Sequence, residues 1–315
     1  MKESIVITGG AGFLGVHIVR RLLAGRNEGC SIKVIENMTF SASAYAGKSF
    51  SPSGFEFIRC DMTSRNDFMK AAAGADTIIH LARSEDPLKT SDLVDYNCSM
   101  TENIAAFSQS NDVKAILLSS SFQVYGANAA ENIKEDAPCA PITPYAHSKK
   151  LCELILQDTA QRTGSRAAIL RYFNIYGPGA GTGILKMLKG HVESGAADIC
   201  LHNDGFDGRD YIHVDDAANA AILALRRLSG KESMPAAEIG SCEIVNAGTG
   251  RCTTVRQLIE MAGEQIGSEF RPRYGSGQDP IRAISADCRK IQSMLGFWPA
   301  IDLEEGLKRL FNENL

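Results

Sequence analysis

The chain is expected to be an α/β protein, a doubly wound parallel sheet followed by a smaller, mixed α/β C-terminal region. Three observations predict this. Through the first half, short apolar runs alternate with helical patterns, as expected of a parallel sheet covered by helices on both faces. A glycine-rich turn, Thr8-Gly9-Gly10-Ala11-Gly12-Phe13-Leu14-Gly15, joins the first apolar run to the first helical pattern. At 315 residues, with 44% hydrophobic and 22% charged residues, there is enough chain for about two domains with a sizeable core.

The strands expected in the first half are Ile5–Thr8, Ile32–Glu36, Phe55–Cys60, Thr77–Leu81, Ala115–Ser119 and Ala167–Tyr172. Helices are expected at about 13–24, 64–73, 91–110 and 144–162. The last has the fullest set of local signals. Thr143 suits the N-cap, Pro144 suits the first helical position, and Gly164 suits the stop. Leu151, Leu154 and Ile155 continue it at helical period. After residue 172 the alternation becomes irregular, with strands expected at Ile199–Leu201 and Glu243–Asn246. Helices are expected near 215–228, 254–266, 287–295 and 303–312. The domain boundary therefore falls at 172, giving regions 1–172 and 173–315, with segments near 208–228 and 243–250 returning to the first. Loops are expected at 40–54, 126–143 and 229–240.

Composition narrows the class. The net charge is −4 and no long basic run occurs, which argues against nucleic acid or an anionic membrane as partner. No stretch approaches the length of a membrane span, and the first residues lack the long apolar segment of a signal peptide. Nine dispersed cysteines without Cys-x-x-Cys spacing fit reduced thiols and a cytoplasmic location. Neither they nor the six histidines form a metal-ligand cluster, so no metal is expected.

Two motifs carry chemistry. Gly9, Gly12 and Gly15 lie between a strand and a helix, where glycines allow a tight turn, close approach to a pyrophosphate and close helix–strand packing. Glu36 closes the second strand, 21 residues after Gly15. A carboxylate there accepts bonds from ribose hydroxyls and repels a 2′-phosphate, favouring NAD over NADP. Asp61, ending the third strand, is a candidate adenine contact. The second motif is Ser119-Ser120-Ser121 followed by Tyr145-Ala146-His147-Ser148-Lys149, with Ser121 and Tyr145 24 residues apart. Four-residue spacing puts Tyr145 and Lys149 on one helix face. A phenol with an ordinary pKa of about 10 needs nearby positive charge to act as a base. Together the motifs point to redox chemistry on a bound nicotinamide.

These residues resemble the extended short-chain dehydrogenase/reductase family, specifically the NAD-dependent nucleotide-sugar epimerases and dehydratases of the UDP-glucose 4-epimerase kind. The resemblance runs from Ile5 to about Leu310. Its further motifs are His80-Leu81-Ala82, Asn97, Ser-Ser-Ser-x-x-Val-Tyr-Gly, Arg171-Tyr172-Phe173-Asn174-Ile175-Tyr176-Gly177-Pro178, Gly208-Arg209-Asp210, Asn246-Ala247-Gly248-Thr249-Gly250 and Leu295-Gly296-Phe297-Trp298-Pro299. It implies a Rossmann-type NAD-binding domain at 1–172 and a nucleotide-sugar-binding domain at 173–315. It further implies that Tyr145 is the acid/base, that Lys149 binds the nicotinamide ribose and lowers the tyrosine's pKa, and that Ser121 bonds the reacting sugar hydroxyl. NAD would be held by Gly9, Gly12, Phe13, Leu14, Gly15, Glu36, Asn37, Asp61, Met62, Leu81, Ala82, Asn97, Ser119, Tyr145, Lys149 and Tyr172. Asn174 and Arg209 would hold the sugar donor's diphosphate and nucleotide, while His80 and His213 read as structural.

The reaction can be narrowed further. The dehydratases of this family carry Asp-Glu where this chain has Phe122-Gln123, and neither of these residues can exchange a proton. Related decarboxylases carry a Glu at the Gln123 position. What remains is epimerisation at C4, by hydride removal, rotation of the keto-sugar and hydride return, or net reduction of a 4-keto sugar. Glu36 favours the epimerase, most simply of UDP-glucose and UDP-galactose; a non-catalytic NAD(H) sensor would be expected to have lost Tyr145 or Lys149. Two departures bear on substrate. Arg83 stands where many relatives have a small residue and is a candidate contact to a phosphate or an acidic sugar. Tyr274-Gly275-Ser276-Gly277-Gln278-Asp279 lacks an arginine that relatives use on the phosphates, and Arg282 is its candidate replacement. The family's usual homodimer would use the helices near 91–110 and 144–162, whose outer faces do not read as clearly apolar.

Overall fold

The computed structural model describes residues 3–25, 30–37, 54–84, 92–180, 183–230, 237–267, 269–277 and 279–312. Most of the expected loop at 40–54, and the centre of that at 229–240, lie outside these residues. The first elements are β1 (Glu3–Thr8), α1 (Phe13–Ala24), β2 (Cys30–Glu36), β3 (Glu56–Arg59), α2 (Arg65–Ala71), β4 (Thr77–His80), α3 (Leu93–Ser110) and β5 (Ala115–Ser121). Then come a 3₁₀ turn at Phe122–Tyr125, α4 (Pro144–Thr163), β6 (Arg166–Tyr172), β7 (Asn174–Tyr176), α5 (Ile184–Ser194), β8 (Asp198–Asn203), β9 (Gly208–His213) and α6 (Val214–Ser229). The described chain closes with β10 (Cys242–Ala247), β11 (Cys252–Thr254), α7 (Val255–Ile266), β12 (Arg271–Gly277), β13 (Ala283–Ile284), α8 (Arg289–Leu295) and α9 (Leu303–Asn312).

Seven strands form one sheet in the order β10-β6-β5-β4-β1-β2-β3. The β1–β2, β1–β4, β2–β3 and β4–β5 pairs are all parallel. Central strands covered on both faces need continuous rather than alternating apolar residues. β1 and β4 supply them, with Val6, Ile7, Ile78 and Ile79 fully buried. The strand order reverses between β1 and β4, and in such sheets a crevice opens beyond the carboxyl ends of the strands at that switch.

The chain divides into two compact units. One comprises 1–124, 141–171 and 218–245, and includes most of the seven-stranded sheet. Its core packs Phe68 edge-on to Phe107 at 6.0 Å among Ile78, Ile104, Ile116 and Leu156. The other comprises 125–140, 172–217 and 246–315. There β9 lies between β11 and β13 and also pairs with β7, while β8 pairs with β12. Leu185, Leu188, Leu258, Ile259, Leu307 and Leu310 bring α5, α7 and α9 into its core. No described helix is long and apolar enough to cross a membrane.

The expected elements of the first half all form, with ends shifted by a few residues. β7, α5, β9, β11, β12 and β13 were not expected. α5 begins at Gly183 without a capping side chain and buries only Leu185 and Leu188 within the helix, so it carries no start signal and a thin apolar stripe. β9 contains Arg209, Asp210 and His213, which break a strand pattern. Asp210 is nonetheless buried because its carboxylate accepts from Thr249 N, Thr249 Oγ1, Gly250 N and Ala286 N.

α4 follows its local signals closely. Thr143 Oγ1 accepts from Ala146 N at 3.1 Å, Pro144 opens the helix, and Gly164 ends it at φ +76°. Its faces are a correction, however. Leu151 and Leu154 are 43% and 49% exposed, while Ala146, Lys149, Cys152, Glu153 and Leu156 are buried. Lys149 and Glu153 can turn inward because each finds a polar partner there. The outward face of α4 is thus more apolar than its sequence alone indicates.

Candidate active site

The glycine turn lies at the switch point. Gly9 has φ +68°, and a Cβ on it would meet Ala82 N at 2.6 Å, just past β4. A Cβ on Gly15 would meet Gly9 O at 2.5 Å, so helix and turn can close only without side chains. Gly12 caps α1 without a side chain, leaving the first-turn amides, including those of Phe13 and Leu14, for an anion. Glu36 ends β2, and its Oε1 accepts from Asn37 N at 3.1 Å; Asn37 Nδ2 donates to Tyr96 at 3.3 Å. A bare glycine cradle with a carboxylate on the neighbouring strand fits a dinucleotide.

Other expected cofactor contacts are already engaged within the protein. Asp61 Oδ1 accepts from both the amide and hydroxyl of Thr63, forming its own turn. The Met62 side chain is buried in the core. Leu81 N extends the ladder to Thr8 O at 3.0 Å. In the second unit, the Tyr172 hydroxyl donates to Ala217 O at 3.2 Å. Asn97 clamps Ser84 through both of its backbone groups, at 2.8 and 3.2 Å, and donates to Ser148 Oγ at 3.0 Å. Any role for Asn97 towards the cofactor is therefore one of holding the backbone after β4.

Ser121, Tyr145 and Lys149 come together. The first turn of α4 presents Tyr145, and Ser121 at the end of β5 favours the ionised form of its phenol. Lys149 Nζ donates to the Ser119 carbonyl at 2.7 Å and lies 5.9 Å from the Tyr145 ring centre. Burial holds its pKa down to about 8. Burial also pushes the Tyr145 phenol up, opposed by the charge of Arg83 and by Ser121. The charge that most opposes burial at the phenol is Arg83, whose guanidinium lies 5.5 Å from the ring centre. His80 bonds Thr8 Oγ1 at 2.8 Å and Thr101 Oγ1 at 3.1 Å, and burial lowers its pKa to about 3, so it stays neutral.

Phe122 and Gln123 serve the scaffold. Phe122 is buried, Gln123 N donates to Ser121 Oγ at 3.2 Å, and Gln123 Oε1 accepts from the N-cap Thr143. The reading along the chain missed a buried cluster behind these residues. Glu153 accepts from Ser120 Oγ at 2.6 Å and from Arg171 at 2.9 and 2.8 Å. The available signal was Glu153 standing one helical turn after Lys149, on the same face.

The second unit holds the remaining expected residues. Asn174 Nδ2 is a buried donor without a protein partner among the described residues, the type of atom a ligand completes. Arg209 pairs with Asp279 at 2.8 Å. Arg282 pairs with both Asp204 and Asp207 at 2.8 Å, so two carboxylates already hold the proposed phosphate replacement. His213 is buried, edge-on to Tyr176. Asn246 binds the Tyr125 hydroxyl and Ile133 O, and through its amide Glu135.

A glycine cradle at the switch point of a parallel sheet, in the same compact unit as Ser121, Tyr145 and Lys149, defines a dinucleotide-binding protein. Residues 5–240 match the model of the NAD dependent epimerase/dehydratase family. The UDP-glucose 4-epimerase of Azospirillum brasilense is 30% identical, over 97% of this chain and 90% of its own. The UDP-glucuronate 4-epimerase of Thermodesulfobacterium geofontis is 27% identical, over 98% and 94%. Among solved structures, the UDP-glucose 4-epimerase of Thermotoga maritima with UDP-glucose superposes at a TM-score of 0.85 and 26% identity, covering 98% of this chain and 97% of that one. MoeE5 in complex with UDP-glucose and NAD gives 0.80 and 26%, with the same coverage. The chain belongs to the NAD dependent epimerase/dehydratase family, and NAD is its cofactor.

Proposed function

We propose that the protein is a nucleotide-sugar 4-epimerase, most simply interconverting UDP-glucose and UDP-galactose. The observation that carries this reading is Lys149, fixed on Ser119 O, 5.9 Å from the Tyr145 ring centre, with no titratable group at Phe122 or Gln123. Such a site can move one proton at a sugar hydroxyl but cannot expel water from a neighbouring carbon. The names of the relatives support the same reaction class.

Bound NAD supplies a hydride acceptor that returns the hydride in the same turnover. Tyr145 takes the C4 hydroxyl proton and later gives it back, and Ser121 orients that hydroxyl. Lys149, fixed by Ser119 O, holds positive charge beside the ring. Gly9, Gly12 and Gly15 with the first-turn amides of α1 take the pyrophosphate, and Glu36 takes the ribose. The unit containing the seven-stranded sheet is thereby assigned to the dinucleotide and the other unit to the nucleotide sugar. Asn174, with its unpartnered Nδ2, and Arg209 are assigned to the diphosphate, and Arg282 to a lesser contact. Leu151 and Leu154 support a homodimer through α3 and α4; Leu154→Asp should then yield monomers in sedimentation. A cytoplasmic location belongs to the same reading.

Incubating the protein with UDP-galactose and catalytic NAD⁺ tests the assignment. UDP-glucose should accumulate to an equilibrium mixture without net NADH formation. No product from UDP-galactose, together with stoichiometric NADH loss on a 4-keto nucleotide sugar, would replace the epimerase with a reductase.

A further inference from the structure

β4 ends at His80, yet the four residues after it stay under tight control. Leu81 N donates to Thr8 O at 3.0 Å and Ala82 N to Thr8 Oγ1 at 3.4 Å. Ser84 is held at both backbone groups by the Asn97 amide. Arg83 therefore projects from a backbone pinned on both sides. The same Asn97 donates to Ser148 Oγ, which in turn donates to the carbonyl of Tyr145 at 2.8 Å. One hydrogen-bonded chain thus links the base of Arg83 to the turn carrying Tyr145. At its end the guanidinium lies over the ring, 5.5 Å from its centre.

We propose that Arg83 is a positioning residue for the reaction, a second and permanent positive charge that holds the phenolate form of Tyr145. The role rests on Tyr145 being the base of the reaction proposed above. Two cations flank the ring, and they differ in kind. Lys149 is buried, and with its pKa near 8 it loses charge as the medium becomes alkaline. Arginine keeps its charge throughout this range. Among the described residues, the other groups facing Tyr145 and Lys149 do not take over this part. Ser121 on β5 is uncharged, His80 on β4 is held neutral, and Glu153 on α4 is paired with Arg171. The Cys152 thiol on α4 opposes ionisation of the phenol. Arg83 is thus the charge over the ring whose removal acts on the tyrosine while leaving Ser121 in place.

The test is an ultraviolet difference titration of tyrosinate in the wild type, Arg83→Gln and Arg83→Lys, each referenced to its Tyr145→Phe counterpart. Arg83→Gln should move the Tyr145 midpoint up by about half a unit to one unit, the size expected of a partly solvated charge at this distance. The acid limb of kcat/KM should move equally, with a roughly three- to tenfold loss below it. Arg83→Lys should restore most of both. Raising salt should shift the wild-type midpoint upward and leave that of Arg83→Gln nearly still. Unmoved titration and unmoved acid limb in Arg83→Gln, in protein with wild-type circular dichroism, would overturn the role. Because the titration needs no substrate, a shifted midpoint in a protein inert towards UDP-sugars would sink the epimerase reading and leave the Arg83 effect standing.

Discussion

Behind Tyr145 the ionisable groups are buried: Lys149 is 3% exposed with its pKa held down, Glu153 is fully buried, and His80 is held neutral. Around Arg209 and Arg282 most of the paired charges stay partly wet. The Arg282 side chain is 48% exposed, Asp204 36% and Asp279 38%, and each guanidinium is paired with carboxylate. The first region suits proton movement, because desolvation brings lysine towards neutrality and leaves a phenol to be tuned by neighbours. The second suits recognition of an anion, because an arginine that never titrates offers a fixed fork of donors. The proposed function thus puts chemistry where burial perturbs, and binding where charge is preserved.

The hardest blow to this contrast would come from Tyr145→Phe. Removal of the phenol should lower kcat roughly 10²–10⁴-fold; a variant retaining most of its turnover would remove the proton-transfer role from this region. The next largest effect concerns stability. Glu153→Gln leaves Arg171 buried without its counter-charge and should cost about 3–5 kcal/mol in denaturant unfolding. A loss within the ordinary surface range would mean that the cluster behind Ser120 is not the desolvated pair the geometry describes.

A third measurement reads the pH dependence of the fold. His80 titrates near 3 when folded and near 6.5 when unfolded, so the unfolded chain binds the extra proton between these values. Stability should therefore fall as pH drops through that window, by up to about 1.4 kcal/mol per unit, and His80→Gln should flatten the slope. The smallest effects separate the two arginines. Arg209→Met should lower kcat/KM for a UDP-sugar by about tenfold or more, as expected for a lost charge-assisted bond. Arg282→Met, already held by Asp204 and Asp207, should change it by less than about threefold. Equal effects would mean that both arginines reach the anion.

Much of the first region was legible along the chain because its signals are local. The glycines of the first turn, the Thr143-Pro144 start of α4 and the Tyr145–Lys149 spacing act over a few residues. Less was legible where partners come from far away in sequence. Asn97 reads as a cofactor contact until Ser84 and Ser148 are seen to engage its amide. The helical period of Leu151 and Leu154 does not tell that they face outward while Lys149 and Glu153 face inward. Arg282 reads as a candidate phosphate contact, and its pairing with Asp204 and Asp207 is not visible along the chain.

Taken alone, the sequence determined the parallel sheet, the dinucleotide turn and the identity of the Ser–Tyr–Lys group, since each depends on period, capping or steric freedom within a short stretch. Only the tertiary structure decided which charges are buried, which are neutralised and which cation lies over the phenol. Those outcomes depend on desolvation and on partners tens of residues distant, and no local pattern encodes them.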